Sequence, residues 1–357
     1  MIKLFNDFRS LVSRAWSKLK RLIDVVVLPV VARSRTLSSL YYLLFSDAFK
    51  REHYAVAYGR YKYNAEAKDN TKNRYLLRRN IHRLEKGLLM RPRRRLFALD
   101  YIEITVICYQ QYVTAHEQNG EASCELRWAH DVLCEYFAVV ADHPLVNKLK
   151  KKFRQLPIPQ GGNISCIPFK RNLTQPLRVD YDGLMELAQR RKSVRWYLPR
   201  PVPRDLIDRA VSLAALAPSA CNRQPFRFHV IDDPVLIRKT SSIPMGTGGF
   251  DHNIPALAVV VGKLSAFFSE RDRHVIYIDA SLAAMSFLYA LETLGLSSCC
   301  INWPDIESKV EQMSSLLKLE PDEFVILLIS FGYPDPDGLV AFSQRKPLVE
   351  LREYNLS

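Results

Sequence analysis

The hydrophobic positions of this chain keep a helical period through the first half and change rhythm in the second. Over residues 1–23, Phe5, Phe8, Leu11, Val12, Trp16, Leu19, Leu22 and Ile23 fall on one face of a 3.6-residue period. Lys3, Arg9, Arg14, Lys18, Lys20 and Arg21 take the other face. That makeup suits a helix lying on a membrane surface, and equally one whose apolar face packs on the rest of the protein or on a partner. From about Leu37 to Leu156 the period stays helical. Within it Leu77, Ile81, Leu84 and Leu88 share a stripe, and Arg79 and Arg83 stand one turn apart. Gly87 and the basic run Met90–Arg95 predict the end of that helix.

Residues 155–180, with Gly161, Gly162, Pro168 and Pro176, read as a linker or wrapping arm. After Tyr181 helical and strand-like patterns interleave. Helices are predicted over about 182–191, 204–217, 277–294 and 305–317, the second opened by Pro203 and the third stopped by Gly295. Strands are predicted over 226–231, 256–262, 297–301 and 324–331. The result is an α+β domain behind a helical region. The expected divisions are a basic amphipathic segment 1–35, a helical domain 36–156, a linker 157–180 and an α+β domain 181–357.

Charge sharpens the division. The net charge is +14, with 32 Lys+Arg against 16 Asp+Glu in residues 1–180 and 19 against 21 in residues 181–357. Anionic partners are therefore expected at the first half, including an anionic membrane surface reached through residues 1–35. The basic segment 76–95 is a lid over a phosphorylated substrate or simply a solvated face. No aromatic-interleaved basic motif calls for nucleic acid. The seven cysteines include no CxxC pair and the histidines show no ligand spacing, so neither a disulfide framework nor a metal site is expected. No uninterrupted apolar run approaches the roughly 18–20 residues of a transmembrane helix, and no signal peptide is legible. A cytoplasmic protein is expected, with peripheral membrane contact as the open variant.

Two stretches carry candidate chemistry. Arg190-Arg191-Lys192-Ser193-Val194-Arg195 packs four cations and a hydroxyl into six residues. If it opens a domain at a helix start, the helix dipole opposes that charge, and a bound phosphate would resolve the conflict. Ala217-Pro218-Ser219-Ala220-Cys221-Asn222-Arg223-Gln224-Pro225-Phe226 follows one helix later and offers polar groups for a heteroaromatic ring.

In order along the chain come these two stretches, Leu294–Trp303, Phe331-Gly332-Tyr333-Pro334 and Arg345-Lys346-Pro347. Residues from about 184 to 350 thereby resemble the nitroreductase-like flavoproteins, a superfamily that includes iodotyrosine deiodinases. The resemblance implies a mainly antiparallel sheet flanked by helices, in a homodimer with FMN at the subunit interface. It implies that Arg191, Lys192, Ser193 and Arg195 hold the phosphate and ribityl oxygens, joined by Arg345. It further implies that Pro218, Ser219 and Asn222 reach the isoalloxazine and ribityl of the partner's cofactor, with Gln224 beside them. Cys300, Ile301, Asn302 and Trp303 would line the N5 and O4 edge of the ring. Members with Gly near Trp303 are common, so the indole here is a departure that shapes or restricts the pocket.

No catalytic side chain is named, because in this family the cofactor carries the central step. The implied activity is an FMN-dependent oxidoreductase passing electrons from NADH or NADPH, through flavin N5, to a small electron-poor or conjugated substrate. An O2-using oxidase or a flavin-fragmenting enzyme is the alternative within the family. A non-catalytic peripheral membrane or assembly protein is the alternative outside it. The Cys299-Cys300 pair invites a redox reading, although small residues under a flavin serve packing equally well.

Overall fold

A computed structural model describes residues 25–68, 74–119, 124–159 and 165–355. The amphipathic pattern of residues 1–23 lies outside the described residues. The chain divides into two compact units, Met1–Tyr54 with Asp305–Glu307, and Ala55–Pro304 with Ser308–Ser357. In the first, helix α1 (Arg35–Phe45) is capped by Ser34, whose hydroxyl accepts from the Leu37 N–H. None of its residues is buried.

The second unit begins within helix α2 (Lys50–Lys68). Its helical part comprises α3 (Arg74–Leu89), α4 (Ile102–Asn119), α5 (Cys124–Val139) and α6 (Pro144–Phe153). The stripe read from the sequence is the buried face of α3: Leu77, Ile81, Leu84 and Leu88 pack with Val106, Tyr109, Leu133, Tyr136 and Phe153 in one core. Gly87 does not end α3, which runs two residues further. A Cβ there would stand 2.4 Å from the Phe97 ring, so glycine is required by close approach.

The α+β part holds α7 (Tyr181–Arg190), α8 (Arg204–Ala214), α9 (Pro234–Ser241), α10 (Val275–Thr293) and α11 (Glu307–Leu317). They flank four strands, β1 (Phe226–Ile231), β2 (Ala256–Lys263), β3 (Ser297–Asn302) and β4 (Glu323–Gly332). The sheet is antiparallel, in the order β1-β2-β4-β3. Central strand β2 is buried over seven consecutive residues because both its faces are covered, which explains its unbroken apolar run. One core forms around α8, α10 and the sheet, with Ala258, Val260, Phe287 and Phe331; another lies among Leu257, Val259, Ile301, Met313 and Leu328. Every strand and helix predicted after Tyr181 is present. Helix α9, opened by the cap of Asp233 on the Leu236 N–H, escaped the periodicity because it is only eight residues long.

Helix α10 is apolar all round yet buried on one face only. Ile276, Ala280, Ala283, Phe287 and Leu291 turn inward, whereas Ile278, Leu282 and Met285 line an exposed stripe at helical spacing. The segment Glu270–Thr293 is long and apolar enough to cross a membrane, with half of that window buried in the protein.

Candidate functional site

The first cation stretch begins where α7 ends, not where a helix starts. Arg191 is the C-cap of α7, its N–H donating to Leu187 O at 3.0 Å. The helix dipole favours cations at that end, so the expected conflict with the dipole does not arise. What remains is a shortage of counter-charge. Arg190 pairs with Glu292 at 3.1 Å. Among the described residues Arg191, Lys192 and Arg195 have no carboxylate at ion-pair distance.

Strand β3 fixes this segment in place. Ser193 forms a parallel bridge with Ser298, and the Val194 N–H donates to Ser298 O at 3.0 Å. The buried Tyr197 hydroxyl donates to Val194 O at 2.7 Å and lies 3.0 Å from Ser330 Oγ. Asn253 Nδ2 donates to Arg195 O at 2.9 Å. Chain ends on both sides are thus pinned, and Arg191, Lys192, Ser193 and Arg195 gather along the outer edge of β3.

Along β3, Cys300 and Asn302 face outward, while Ile301 is buried in the core. Of Ile301 only the backbone is available to a ligand. Trp303 packs half-buried against the same core, so its bulk is anchored at the end of the strand. The Cys299 thiol points to Cys300 O at 3.5 Å. Burial pushes that thiol up from the usual cysteine range, against the pull of Arg195, Ser193 and Arg191. Burial of the thiol, and Cys299 beside it, push Cys300 the same way, although part of that residue reaches solvent. Raised thiols are poor nucleophiles, which favours the packing role over redox chemistry. Arg345 sits on the exposed C-terminal tail and, among the described residues, has no ion pair and no hydrogen bond to the Arg191–Arg195 segment.

Ser219–Gln224 forms a second, separate constellation. Cys221, Asn222 and Gln224 take positive φ values of 52°, 51° and 50°. Such backbone costs on the order of 1 kcal/mol or more per non-glycine residue and needs outside support. The supports are visible. Ser219 Oγ accepts from the Gln224 N–H at 3.1 Å, and the Ala220 N–H donates to Asp279 Oδ2 at 3.0 Å. Arg78 of α3 donates from Nε to Asn222 O at 2.9 Å and from Nη2 to Gln224 Oε1 at 3.3 Å. Gln224 Nε2 donates to Ala215 O at 3.0 Å, so the Gln224 amide is spent on the turn. Pro218 is exposed, and Ser219 and Asn222 are half-buried.

The sheet register sets the two constellations far apart. Phe226, next to the turn, aligns through Gly262 with Phe324 on one edge; Ser193 aligns through Ser298 with Phe331 on the other. Four strand spacings and seven residues of rise put them more than about 25 Å apart, at diagonal corners.

Sequence reasoning missed Arg78 and Asp279. Arg78 lies in the basic segment that was read through Arg79, His82 and Arg83, and those three have partners of their own. Arg79 lies over the Phe268 ring at 4.9 Å, His82 Nδ1 is 3.2 Å from Glu85, and Arg83 pairs with Asp100 while stacking on Tyr101 at 3.6 Å. Within α3 these residues are partnered, while Arg91–Arg95 beyond the helix are exposed, as a solvated basic run is. The segment reaches the α+β part through Arg79 on the Phe268 ring and through Arg78 on the strained turn, and no periodicity marks Arg78. Asp279 was hidden in the apolar run of α10, where a lone carboxylate reads as a surface residue.

An antiparallel sheet with this order, a cationic segment on one edge strand and a polar turn at the opposite corner define the class. Residues 188–247 and 241–333 match the Nitroreductase family model. Over 161 residues the chain is 26% identical to a Methanothermobacter thermautotrophicus protein assigned as an NADH dehydrogenase/NAD(P)H nitroreductase, covering 44% of this chain and 80% of that one. Human iodotyrosine deiodinase 1 is 24% identical over 219 residues, covering 53% of this chain and 75% of its own. Among solved structures, an FMN-dependent nitroreductase of Clostridium difficile covers 48% of this chain and 99% of its own, at 24% identity and a TM-score of 0.42. The C-terminal half has a nitroreductase-like fold.

Proposed function

We propose that this protein is an FMN-dependent oxidoreductase that works as a homodimer and takes its electrons from NADH or NADPH. The observation that carries the reading is the unpaired charge of Arg191, Lys192 and Arg195, held rigidly beside the Ser193 hydroxyl at the edge of β3. Guanidinium and ammonium groups without counter-ions suit a phosphate. The outward Cys300 and Asn302 and the strand's free backbone edge extend from there toward Trp303, giving a ring a flat polar border. The residues fit the cofactor.

The same geometry supports a dimer. One chain places its polar turn at the far corner of the sheet, so Pro218, Ser219 and Asn222 reach a ring beside β3 only in a second copy. The exposed apolar stripe Ile278, Leu282, Met285 beside that turn gives the second copy a surface. Arg345, on the tail, is free to join either phosphate. The names of the relatives, NAD(P)H nitroreductase and FMN-dependent nitroreductase, support both the cofactor and the electron donor.

When bound, FMN supplies hydride acceptance from the nicotinamide and donation from N5 to a small electron-poor substrate. The protein's own task is positional: it neutralises the phosphate, fixes the ring's edge along β3, and narrows the substrate side with Trp303. The test is direct. Purified protein incubated with FMN and desalted is expected to keep the flavin absorbance, and to bleach under nitrogen when NADH or NADPH is added. A colourless protein defeats the flavin reading. Retained flavin that NAD(P)H leaves oxidised defeats the donor.

A further inference from the structure

A cavity of about 300 Å³ lies where the helical part meets the α+β part, lined by Arg74, Arg78, Arg223, Lys263, Glu66 and Gln224, among others. Its volume is at the small end of ligand sites. Four cations face it. Three have carboxylate partners: Arg74 and Arg78 share Glu125, the latter at 3.2 Å, and Lys263 lies 3.5 Å from Glu323.

Arg223 is different. Only 4% exposed, it donates from Nη1 to Ala220 O at 3.2 Å and lies 4.8 Å over the Phe267 ring, while its buried Nε has no partner. No carboxylate reaches it at ion-pair distance among the described residues. Asp272 and Asp279 act on it only from further away, and Arg79 opposes it. A guanidinium offers five donors, and this one uses a single conventional hydrogen bond. Burying a charge without a contact partner costs several kcal/mol. The group is nonetheless held by a ring and a carbonyl, and lines a space large enough for a small organic molecule.

We propose that this cavity is a binding site for a small oxyanion, a phosphate or carboxylate group, seated on Arg223 and rimmed by Arg74 and Lys263. Guanidinium forks match both groups, and the donors come from three parts of the fold: α3, the loop entering β1 and the end of β2. The site is separate from the cations on β3, and the proposal stands whether or not the protein binds flavin.

The test is isothermal titration calorimetry on the full-length protein in the presence of saturating FMN, with inorganic phosphate, glycerol 3-phosphate and succinate as probes. Saturable binding of at least one probe, one per chain, is expected. Affinity is expected to fall at least about tenfold in Arg223→Gln and in Lys263→Gln, and to be unchanged in Arg195→Gln, since one charged hydrogen bond is worth about that much. Glycerol 3-phosphate binding more tightly than phosphate identifies an organic phosphate as the occupant; the reverse identifies the free ion; succinate alone identifies a carboxylate. If Arg223→Gln fails to fold by circular dichroism, Arg223→Lys and Lys263→Gln decide. No saturable binding by any probe overturns the proposal, as does binding that Arg195→Gln removes and Arg223→Gln or Lys263→Gln spares. A protein that takes no FMN but binds a probe in this pattern refutes the flavin reading and leaves this site standing.

Discussion

Arg78 Nε donates to the Asn222 carbonyl across 2.9 Å, tying together residues 144 apart in the chain. Through this bond the helical region supports a turn in which Cys221, Asn222 and Gln224 all occupy the left-handed region. Removing a charged hydrogen bond costs about 1.5–3 kcal/mol, comparable with the strain stored in the turn. Arg78→Met is therefore expected to loosen the turn and weaken FMN binding about tenfold, with helix content unchanged and Arg78→Lys recovering part of the loss. Quenching of flavin fluorescence on titration reads the affinity. Wild-type affinity in Arg78→Met would show that the turn holds its shape without α3.

Cations on β3 act on the phosphate alone if the site has the proposed orientation. Arg195→Gln is expected to weaken FMN about tenfold or more, and to leave riboflavin, which lacks the phosphate, bound as in the wild type. The FMN loss shrinks at high salt, because Arg195 is exposed and screened. Equal losses for FMN and riboflavin would place Arg195 at the ring and reverse the orientation.

Much of this was legible in the sequence, and the failures have physical causes. The buried stripe of α3 and the unbroken apolar run of β2 were readable because burial on one face or on both leaves a periodic signature. Gly87 was misread as a helix stop, since glycine serves close packing and chain reversal alike; the Phe97 ring that demands it is near in sequence but invisible to periodicity. The Arg190–Arg195 cluster was found, but for a partly wrong reason: its cations follow a helix end and suit the dipole. Arg78, Arg223 and Asp279 were missed because their meaning is tertiary. Each is an ordinary residue locally and acquires a role only when α3, α10 and the turn meet.

Gly87→Ala pits two effects against each other. Alanine is about 1 kcal/mol better than glycine inside a helix, whereas overpacking a core costs roughly 1–3 kcal/mol. The added Cβ would sit 2.4 Å from one ring carbon of Phe97 and 2.6 Å from another, and that ring is itself packed edge-on against Tyr136 at 5.1 Å. The ring has little room to retreat, so packing outweighs propensity. A net loss of about 1 kcal/mol is expected, visible as a Tm lower by roughly 2–4 °C in thermal unfolding followed by circular dichroism. A raised Tm would mean that the Phe97 ring moves freely.

His130 gives the helical core a pH dependence. Its Nδ1 lies 2.9 Å from the Tyr109 hydroxyl and its Nε2 3.4 Å from Cys134 Sγ, with the Phe153 ring 5.2 Å away. Burial holds the imidazole below its ordinary value of 6.5, with Arg127 acting in the same direction and Asp131 against it. The unfolded chain therefore takes up a proton at a higher pH than the folded one, and stability rises with pH across that interval. The His130 contribution is complete above about pH 6.5, and declines as the pH falls through that value toward the lowered folded one. His229 is shifted the same way by burial, so wild-type acid sensitivity alone does not isolate His130. Urea denaturation of wild type and His130→Gln at pH 7.5 and 5.5 does. The wild type is expected to lose more stability between the two than the variant, whose amide does not titrate. Equal losses would assign the acid sensitivity elsewhere, His229 first.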